Sequence, residues 1–238
     1  MSPSPSVSVI LPAYNEAARI LGTLREIQDY FRAAGRTYEI IVAADGNDGT
    51  REKAHEAAKA DPNVFVLGGV ERLGKGRGVR LGVGLARGEV VGFMDADNKT
   101  PVTELDKFLP LLAGGHDLVI GSRTLQRGLI ERPQPFYRRV GSHGFRVVLR
   151  ALIGLHEISD TQCGFKFFRR EAARAVFERQ RVDGYMFDVE ILRIAQLLGL
   201  KIAQVPVRWR DDADSRLELV AGNLRNLRDL LRIRFGTG

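Results

Sequence analysis

The first half of the chain repeats one pattern: a short apolar run is followed by a stretch whose apolar residues recur every three or four positions. Five such runs lie at residues 7–11, 39–44, 64–67, 90–94 and 117–120. Short apolar runs of this kind form buried strands, and strands that alternate with helices pair in parallel. The pattern predicts one α/β domain with a mostly parallel central sheet and helices on both of its faces.

The remaining patterns complete this outline. Asn15 is predicted to cap the first helix, whose apolar positions include Ile20, Leu24, Ile27 and Phe31. Further strands are predicted over residues 163–168 and 201–209. Further helices are predicted over residues 51–59, 76–86, 103–112, 136–153, 185–198 and 216–235.

Composition excludes several classes of protein. With 238 residues, of which 44% are hydrophobic and 27% charged, the chain is typical of one soluble globular domain. No stretch approaches the roughly 20 apolar residues that a membrane-spanning helix needs, and no secretory signal is visible. A single cysteine, Cys163, excludes an internal disulfide and is compatible with a reducing cytosol, and the four histidines show no zinc-ligand spacing.

The net charge is strongly positive, at +7 with a sequence pI near 9.8. Of the 36 basic residues, 29 are arginine, a residue that binds phosphate oxygens in pairs, although a biased genome composition explains the same excess. The charge indicates anionic partners, such as phosphorylated small molecules or an anionic membrane. No nucleic-acid partner is expected, because the chain has neither a recognition-helix motif nor a basic strand interleaved with aromatic residues.

Polar clusters follow three of the predicted strands at the point where each strand ends. They are PAYNE at residues 12–16, ADGND at 44–48 and DAD at 95–97. Ligands of open parallel sheets bind beyond the carboxyl ends of the strands. These three clusters are therefore expected to form one site.

Asp95 and Asp97 indicate the chemistry of that site. Two carboxylates, one residue apart after a buried strand, can hold a hard divalent cation, Mg²⁺ or Mn²⁺, which completes its shell with water and substrate phosphates. The alternative is a solvated turn in which the two aspartates cap the next helix. The position after a buried strand, with PAYNE upstream, favours the metal.

Residues 74–78 have the sequence GKGRG and lead into a predicted helix. Glycines let a backbone approach a phosphate, and Lys75 or Arg77 could supply positive charge. The segment is not a P-loop, because GxxxxGK[ST] is absent.

Together these motifs resemble glycosyltransferase family 2, the inverting type with the GT-A fold. The run GKGRGVRLGVGLARGEVVGFMDADNKTP is similar to the family segment GKGxAVRxGxxxAxGxxxxFxDADxxTP. Four further segments resemble the branch that uses polyprenyl phosphates, above all the dolichyl-phosphate β-glucosyltransferases. These segments are GSR at 121–123, SDTQCGFKFFRREAA at 159–173, YMFDVEIL at 185–192 and VPVRW at 205–209. The resemblance spans about residues 7–210.

The resemblance implies a metal-dependent enzyme that moves glucose, with inversion, from UDP-glucose to a polyprenyl or dolichyl phosphate. GDP-mannose as donor, or a soluble or glycan hydroxyl as acceptor, remain alternatives. Asp45 would contact the base, Lys75 would lie near the nucleotide, and Asp97 would bind the metal. Asp95 would contact the ribose or a metal-bound water, and Asp160 and Gln162 would lie near the donor sugar. The nucleotide-sugar site implied in this way comprises Pro12, Ala13, Tyr14, Glu16, Asp45, Lys75, Asp95, Ala96 and Asp97.

The acceptor site is predicted from the charge of its candidate residues. A phosphate monoester is already anionic near neutral pH, so its glycosylation needs positioning and charge screening rather than a strong base. Asp188 could act as a base toward a hydroxyl acceptor or could orient the sugar or an arginine, and with Asp97 and Arg123 it completes the catalytic candidates. Five arginines are predicted to bind this phosphate, and the alternative is that they form a solvated basic loop. They are Arg123, Arg127, Arg132, Arg138 and Arg139.

The sequence divides into a flexible tail at residues 1–6, a folded domain at 7–210, and a basic amphipathic helix at 211–238. Such a helix can lie on an anionic membrane, pack on the core, or form an interface between copies of the chain, so a homo-oligomer is possible. A lipid-phosphate acceptor favours the membrane. We therefore expect a cytoplasmic protein, bound peripherally to the cytoplasmic face of the membrane.

Overall fold

The computed structural model describes residues 5–126, 153–210 and 222–236. A sheet of seven strands forms its centre, in the order β3-β2-β1-β4-β6-β5-β7. The strands are β1 (Val7–Tyr14), β2 (Tyr38–Asp45), β3 (Val64–Leu67), β4 (Val90–Met94), β5 (Leu118–Ser122), β6 (Phe165–Arg169) and β7 (Ile202–Pro206).

Strand β6 alone among these seven runs against the rest. It pairs antiparallel with both β4 and β5, whereas the other neighbours pair in parallel. Its first residue therefore lies at the edge where β1, β2, β4, β5 and β7 end. The segment that precedes β6 is thus brought to the same edge as the polar clusters.

Helices cover both faces of the sheet, which confirms the predicted α/β architecture. One face packs on α1 (Ile20–Ala33), α2 (Thr50–Ala60), a 3₁₀ helix (Val102–Lys107) and α4 (Leu109–Ala113). The other face packs on α3 (Lys75–Leu85), α5 (Arg170–Phe177), α6 (Phe187–Leu197) and α7 (Gly222–Gly236). Buried strands such as β2, with residues 38–44 all inaccessible, have both faces covered and therefore lack a polar side.

Two details of the predicted helices are wrong. Helix α1 begins at Ile20 and not next to Asn15, because Asn15 has a φ of 55° that ends β1 in a tight turn. The helix predicted over 103–112 is a 3₁₀ helix followed by a separate five-residue helix. The break at Phe108 is consistent with Pro110, which has no N–H to continue a helix through this point.

Two residues of the predicted N-terminal tail make hydrogen bonds with the domain. Ser6, placed in the flexible tail, donates from its N–H to the carbonyl of Thr37 at 3.0 Å, and the carbonyl of Pro5 accepts from the N–H of Glu89 at 3.3 Å. Helix α7 covers residues 222–236 of the predicted C-terminal helix. The other residues of that predicted helix lie outside the described ones. In the described parts of the chain, we find no helix with the length and apolar character to cross a membrane.

Candidate active site

The three polar clusters do meet at one edge of the sheet. Tyr14, the last residue of β1, is the register partner of Asp45, the last residue of β2. On the other side β1 pairs with β4, so the DAD segment that follows Met94 lies beside the PAYNE turn. Pro12 and Ala13 belong to β1 itself, with Ala13 buried and Tyr14 at 39% exposure.

The turn after β1 is held by Asp48, the last residue of the ADGND cluster, and by Thr50, which the sequence analysis did not single out. The Asp48 carboxylate accepts hydrogen bonds from the N–H of Ala17 at 3.0 Å and from the N–H and hydroxyl of Thr50. The Thr50 hydroxyl in turn accepts from the N–H of Glu16 at 2.8 Å. Burial alone would raise the pKa of Asp48, but these hydrogen bonds outweigh it and lower that pKa. The ADGND cluster therefore fixes the PAYNE turn.

Asp45 orients the loop that follows β3. Its carboxylate accepts from the N–H of Leu73 at 2.9 Å, and the Arg72 guanidinium lies 4.4 Å from the centre of the Tyr14 ring. Arg72 and Tyr14 thus form a flat, half-open platform next to a carboxylate. Glu16 is turned aside, with its carboxylate 3.3 Å from Arg19.

Two lysines partner the two aspartates of the DAD segment. The Lys75 ammonium lies 2.6 Å from Asp95, and the Lys99 ammonium lies 3.4 Å from Asp97. Burial and the nearby Asp95 charge raise the pKa of the Asp97 carboxyl. Burial by itself would lower the pKa of the Lys75 ammonium, but the charges of Asp95 and then Asp188 raise it.

The Asp95 carboxylate occupies the space that a side chain at position 164 would need. The N–H of Asp95 donates to the carbonyl of Gly164 at 3.0 Å, and a Cβ at Gly164 would lie 2.1 Å from an Asp95 carboxylate oxygen. Ala96 is buried, and its carbonyl accepts from the Thr23 hydroxyl at 2.8 Å. The DAD segment is thus clamped between α1 and the segment that precedes β6.

These carboxylates fit a hard divalent cation. Asp95 and Asp97 are close enough that the charge of one raises the pKa of the other, and such mutual repulsion is relieved by a bound cation. No third His, Cys, Asp or Glu converges with them in the described residues. A metal held by two carboxylates takes its other ligands from water and substrate phosphates, as Mg²⁺ and Mn²⁺ do.

The glycine-rich segment uses backbone N–H groups in contacts within the protein. The N–H groups of Gly76 and Arg77, in the first turn of α3, both donate to the carbonyl of Asp183. Gly76 is required by packing, since a Cβ there would lie 2.5 Å from the Cβ of Phe187. Of this segment, it is the Lys75 side chain that reaches the DAD carboxylates.

Arg123 and Asp160 form a tightly bonded pair beyond the end of β5. Asp160 accepts from the N–H of Arg123 at 3.0 Å and from its guanidinium at 2.8 and 2.9 Å. Burial would raise the pKa of Asp160, but the Arg123 charge and hydrogen bonds lower it to about 2. The centre of the Trp209 ring lies 5.6 Å from the Arg123 guanidinium and 5.9 Å from the Lys99 ammonium, so two cationic side chains share one aromatic neighbour.

Asp160, expected near the donor sugar, is thus the fixed partner of Arg123. It also accepts from the N–H of Gln162, at 3.3 Å. The Cys163 thiol next along the chain is buried, and burial raises its pKa to about 12, so it is a core residue.

Asp188 lies inside the protein, in the first turn of α6. It is 3% exposed, and its carboxylate accepts from the ammonium of Lys166 at 2.5 Å. The sequence analysis missed Lys166, although a lysine in the middle of the apolar run FKFF was a signal. Arg127, Arg132, Arg138 and Arg139 lie outside the described residues.

Comparison with known proteins identifies the family. The model of glycosyl transferase family 2 matches residues 8–177. The chain is 35% identical to a dolichyl-phosphate beta-glucosyltransferase of Trichomonas vaginalis, over 95% of this chain and 72% of that protein. It is 37% identical to the one of Drosophila melanogaster, over 98% and 75%, and 34% identical to the human one, over 100% and 78%.

Solved structures agree with the fold. Glucosyl-3-phosphoglycerate synthase of Mycobacterium tuberculosis, in complex with Mn²⁺, UDP and phosphoglyceric acid, has a TM-score of 0.67 at 24% identity, over 97% of this chain and 78% of that one. Mannosyl-3-phosphoglycerate synthase of Rubrobacter xylanophilus has a TM-score of 0.70 at 20% identity, over 96% and 72%. The GT-A fold expected from the sequence is thereby confirmed. The chain belongs to glycosyltransferase family 2 and is a glycosyltransferase.

Proposed function

We propose that this enzyme transfers glucose from UDP-glucose to a polyprenyl phosphate of the dolichyl type, with inversion. The carrying observation is that one sheet edge brings together the carboxylates of Asp95 and Asp97 and the cationic side chains of Lys99 and Arg123, which lie beside Trp209. The relatives named as dolichyl-phosphate beta-glucosyltransferases support the glucose and the lipid phosphate.

On the donor side, Tyr14, Asp45 and Arg72 would hold the base and ribose of the nucleotide. Their exposed platform lies next to the DAD segment, because Tyr14 ends β1, the DAD segment follows β4, and these two strands are paired. Lys75 would hold Asp95 in place and screen the diphosphate. A Mg²⁺ or Mn²⁺ ion bound at Asp97 and Asp95 would supply charge stabilisation to the departing nucleoside diphosphate.

On the acceptor side, Arg123 would bind the lipid phosphate. Asp160 accepts hydrogen bonds from two guanidinium nitrogens of Arg123. The guanidinium has further N–H groups, and the ion pair fixes the direction in which they point. The acceptor oxygen is anionic near neutral pH, so these residues would position it and screen its charge. We extend this role to Arg127, Arg132, Arg138 and Arg139 from the sequence alone.

The lipid acceptor also places the enzyme at a membrane. Helix α7 carries the exposed residues Arg228, Arg232 and Arg234 together with exposed Leu231 and Phe235. Exposed arginines and apolar side chains on one helix are typical of contact with an anionic lipid surface. We propose a peripheral association with the cytoplasmic membrane face.

A transfer assay tests the proposal. The enzyme is incubated with Mg²⁺ or Mn²⁺, a polyprenyl phosphate in detergent, and labelled UDP-glucose or GDP-mannose in parallel. Label that enters the organic phase from UDP-glucose is the expected result, and label from GDP-mannose alone would replace the donor. Release of free UDP without lipid labelling would support the proposed donor site and overturn the proposed acceptor.

The acceptor site is tested by Arg123→Ala, with Arg80→Ala as matched control. Both arginines are paired with an aspartate, and their side chains are 28% and 29% exposed, but Arg80 lies on α3 and bonds Asp183. We expect Arg123→Ala to raise the KM for the lipid phosphate more than the KM for UDP-glucose, and Arg80→Ala to change neither. Equal increases in both KM values for Arg123→Ala would contradict the acceptor role.

A further inference from the structure

The interior of the protein contains a lysine that nothing described so far requires. Lys166 is the second residue of β6 and is 0% exposed. An ammonium group moved from water into a protein interior costs several kcal/mol unless it is paired. A fully apolar residue at this position would fill the core at lower cost, so the charge calls for an explanation.

The Lys166 ammonium makes two hydrogen bonds that tie three segments together. It donates to the Asp188 carboxylate in α6 at 2.5 Å and to the backbone carbonyl of Cys163 at 2.6 Å. It also lies 5.5 Å from the centre of the Phe93 ring in β4. One buried cation thus links β6, the segment just before it, and the first turn of α6.

The segment that Lys166 holds is the one that supports Asp95. Gly164 follows Cys163 directly; its carbonyl accepts the N–H of Asp95, and a Cβ added at Gly164 would lie 2.1 Å from an Asp95 carboxylate oxygen. Asp160, the partner of Arg123, lies three residues before Cys163. A shift of this segment would therefore displace both the DAD carboxylates and the arginine patch.

A second path runs through charge. Asp188 follows Phe187, whose ring lies 5.8 Å from the Lys75 ammonium, and Lys75 bonds Asp95 at 2.6 Å. The charges of Lys166, Asp188, Lys75 and Asp95 thus alternate in sign from the core to the site.

We propose that the buried Lys166–Asp188 pair is a positioning device for the donor site, which sets the place of Asp95 through the segment 163–164 and through Lys75. Asp188 then acts by fixing the first turn of α6, where the Phe187 ring faces Lys75, and not as a base, because its carboxylate is buried and bonded to Lys166. The inference rests on the proposed donor site, but not on the identity of the acceptor.

The test replaces the pair by apolar residues, in the double variant Lys166→Met with Asp188→Leu. Well-packed apolar replacements of a buried ion pair are often neutral for stability, whereas removal of one partner is strongly destabilising. We measure the melting temperature, the Kd for UDP with Mn²⁺ by titration calorimetry, and the KM and kcat for UDP-glucose. Glu39→Gln is the control, since Glu39 is a buried carboxylate bonded to Arg87 at the opposite end of β2.

The double variant is expected to stay folded and to bind UDP with Mn²⁺ ten- to a hundredfold more weakly, the range typical of residues that orient metal ligands. The control is expected to lose stability and keep its Kd. A folded double variant whose Kd lies within threefold of the wild-type value would overturn the proposal. If it does not fold, Asp188→Asn, which keeps the shape and a hydrogen-bond acceptor for Lys166, is read by the same criteria. A wild-type enzyme that binds neither UDP nor GDP would instead refute the proposed function.

Discussion

Asp160→Asn is expected to destabilise the enzyme by about 2.5 kcal/mol at pH 7. The Arg123 charge and hydrogen bonds lower the pKa of Asp160 from 3.8 to about 2. Each tenfold change in proton affinity corresponds to about 1.4 kcal/mol, which gives this figure. The asparagine keeps the shape and one acceptor oxygen but removes the charge.

The pH dependence of this loss follows from the direction of the shift. A carboxyl whose pKa is lower in the folded state binds its proton more readily when the protein is unfolded. The pair therefore makes its full contribution to the free energy of unfolding at pH values above the unfolded-state pKa. Its contribution falls as the pH decreases toward the folded value of about 2. The difference between wild type and variant should therefore shrink to about 1.3 kcal/mol at pH 3.

Denaturant unfolding of both proteins at pH 7 and pH 3 measures this difference. Asp183→Asn is the control, because Asp183 pairs with Arg80 at 2.7 Å but its side chain is 48% exposed. An exposed pair of this kind contributes about 1 kcal/mol or less. A difference below about 0.5 kcal/mol at pH 7, or one equal at both pH values, would refute the account of the Arg123–Asp160 pair.

Three further outcomes are expected. Asp97→Ala should abolish transfer and weaken the binding of UDP with Mn²⁺ while the circular dichroism spectrum is unchanged; an active variant would remove the argument for a metal at this residue. Gly164→Ala should lower activity more than stability, because its Cβ would meet the Asp95 carboxylate at 2.1 Å, and unchanged kinetics would show that the carboxylate is free to move. Cys163 should not react with a thiol reagent in the native enzyme at pH 8, since burial raises its pKa to about 12, and fast labelling would contradict its burial.

The parts of the site that could be predicted from sequence are those on parallel strands. Apolar runs identify the strands, and parallel strands end at one edge, so Tyr14, Asp45 and the DAD segment were correctly expected to meet. Backbone partners are less visible. The Gly76 and Arg77 amides bind Asp183, more than 100 residues later in the chain, and no local pattern indicates that contact.

The antiparallel strand explains the residues that were missed. A run such as FKFF predicts a buried strand but carries no sign of its direction, because side chains alternate between faces in either orientation. Only the reversed direction brings the start of β6, and with it Gly164, to the edge where the other strands end. The alternation that places Phe165 and Phe167 on one face puts Lys166 on the other, toward α6 and Asp188. The same reversal that conceals these residues in the sequence is therefore what gives the donor site support from within the core.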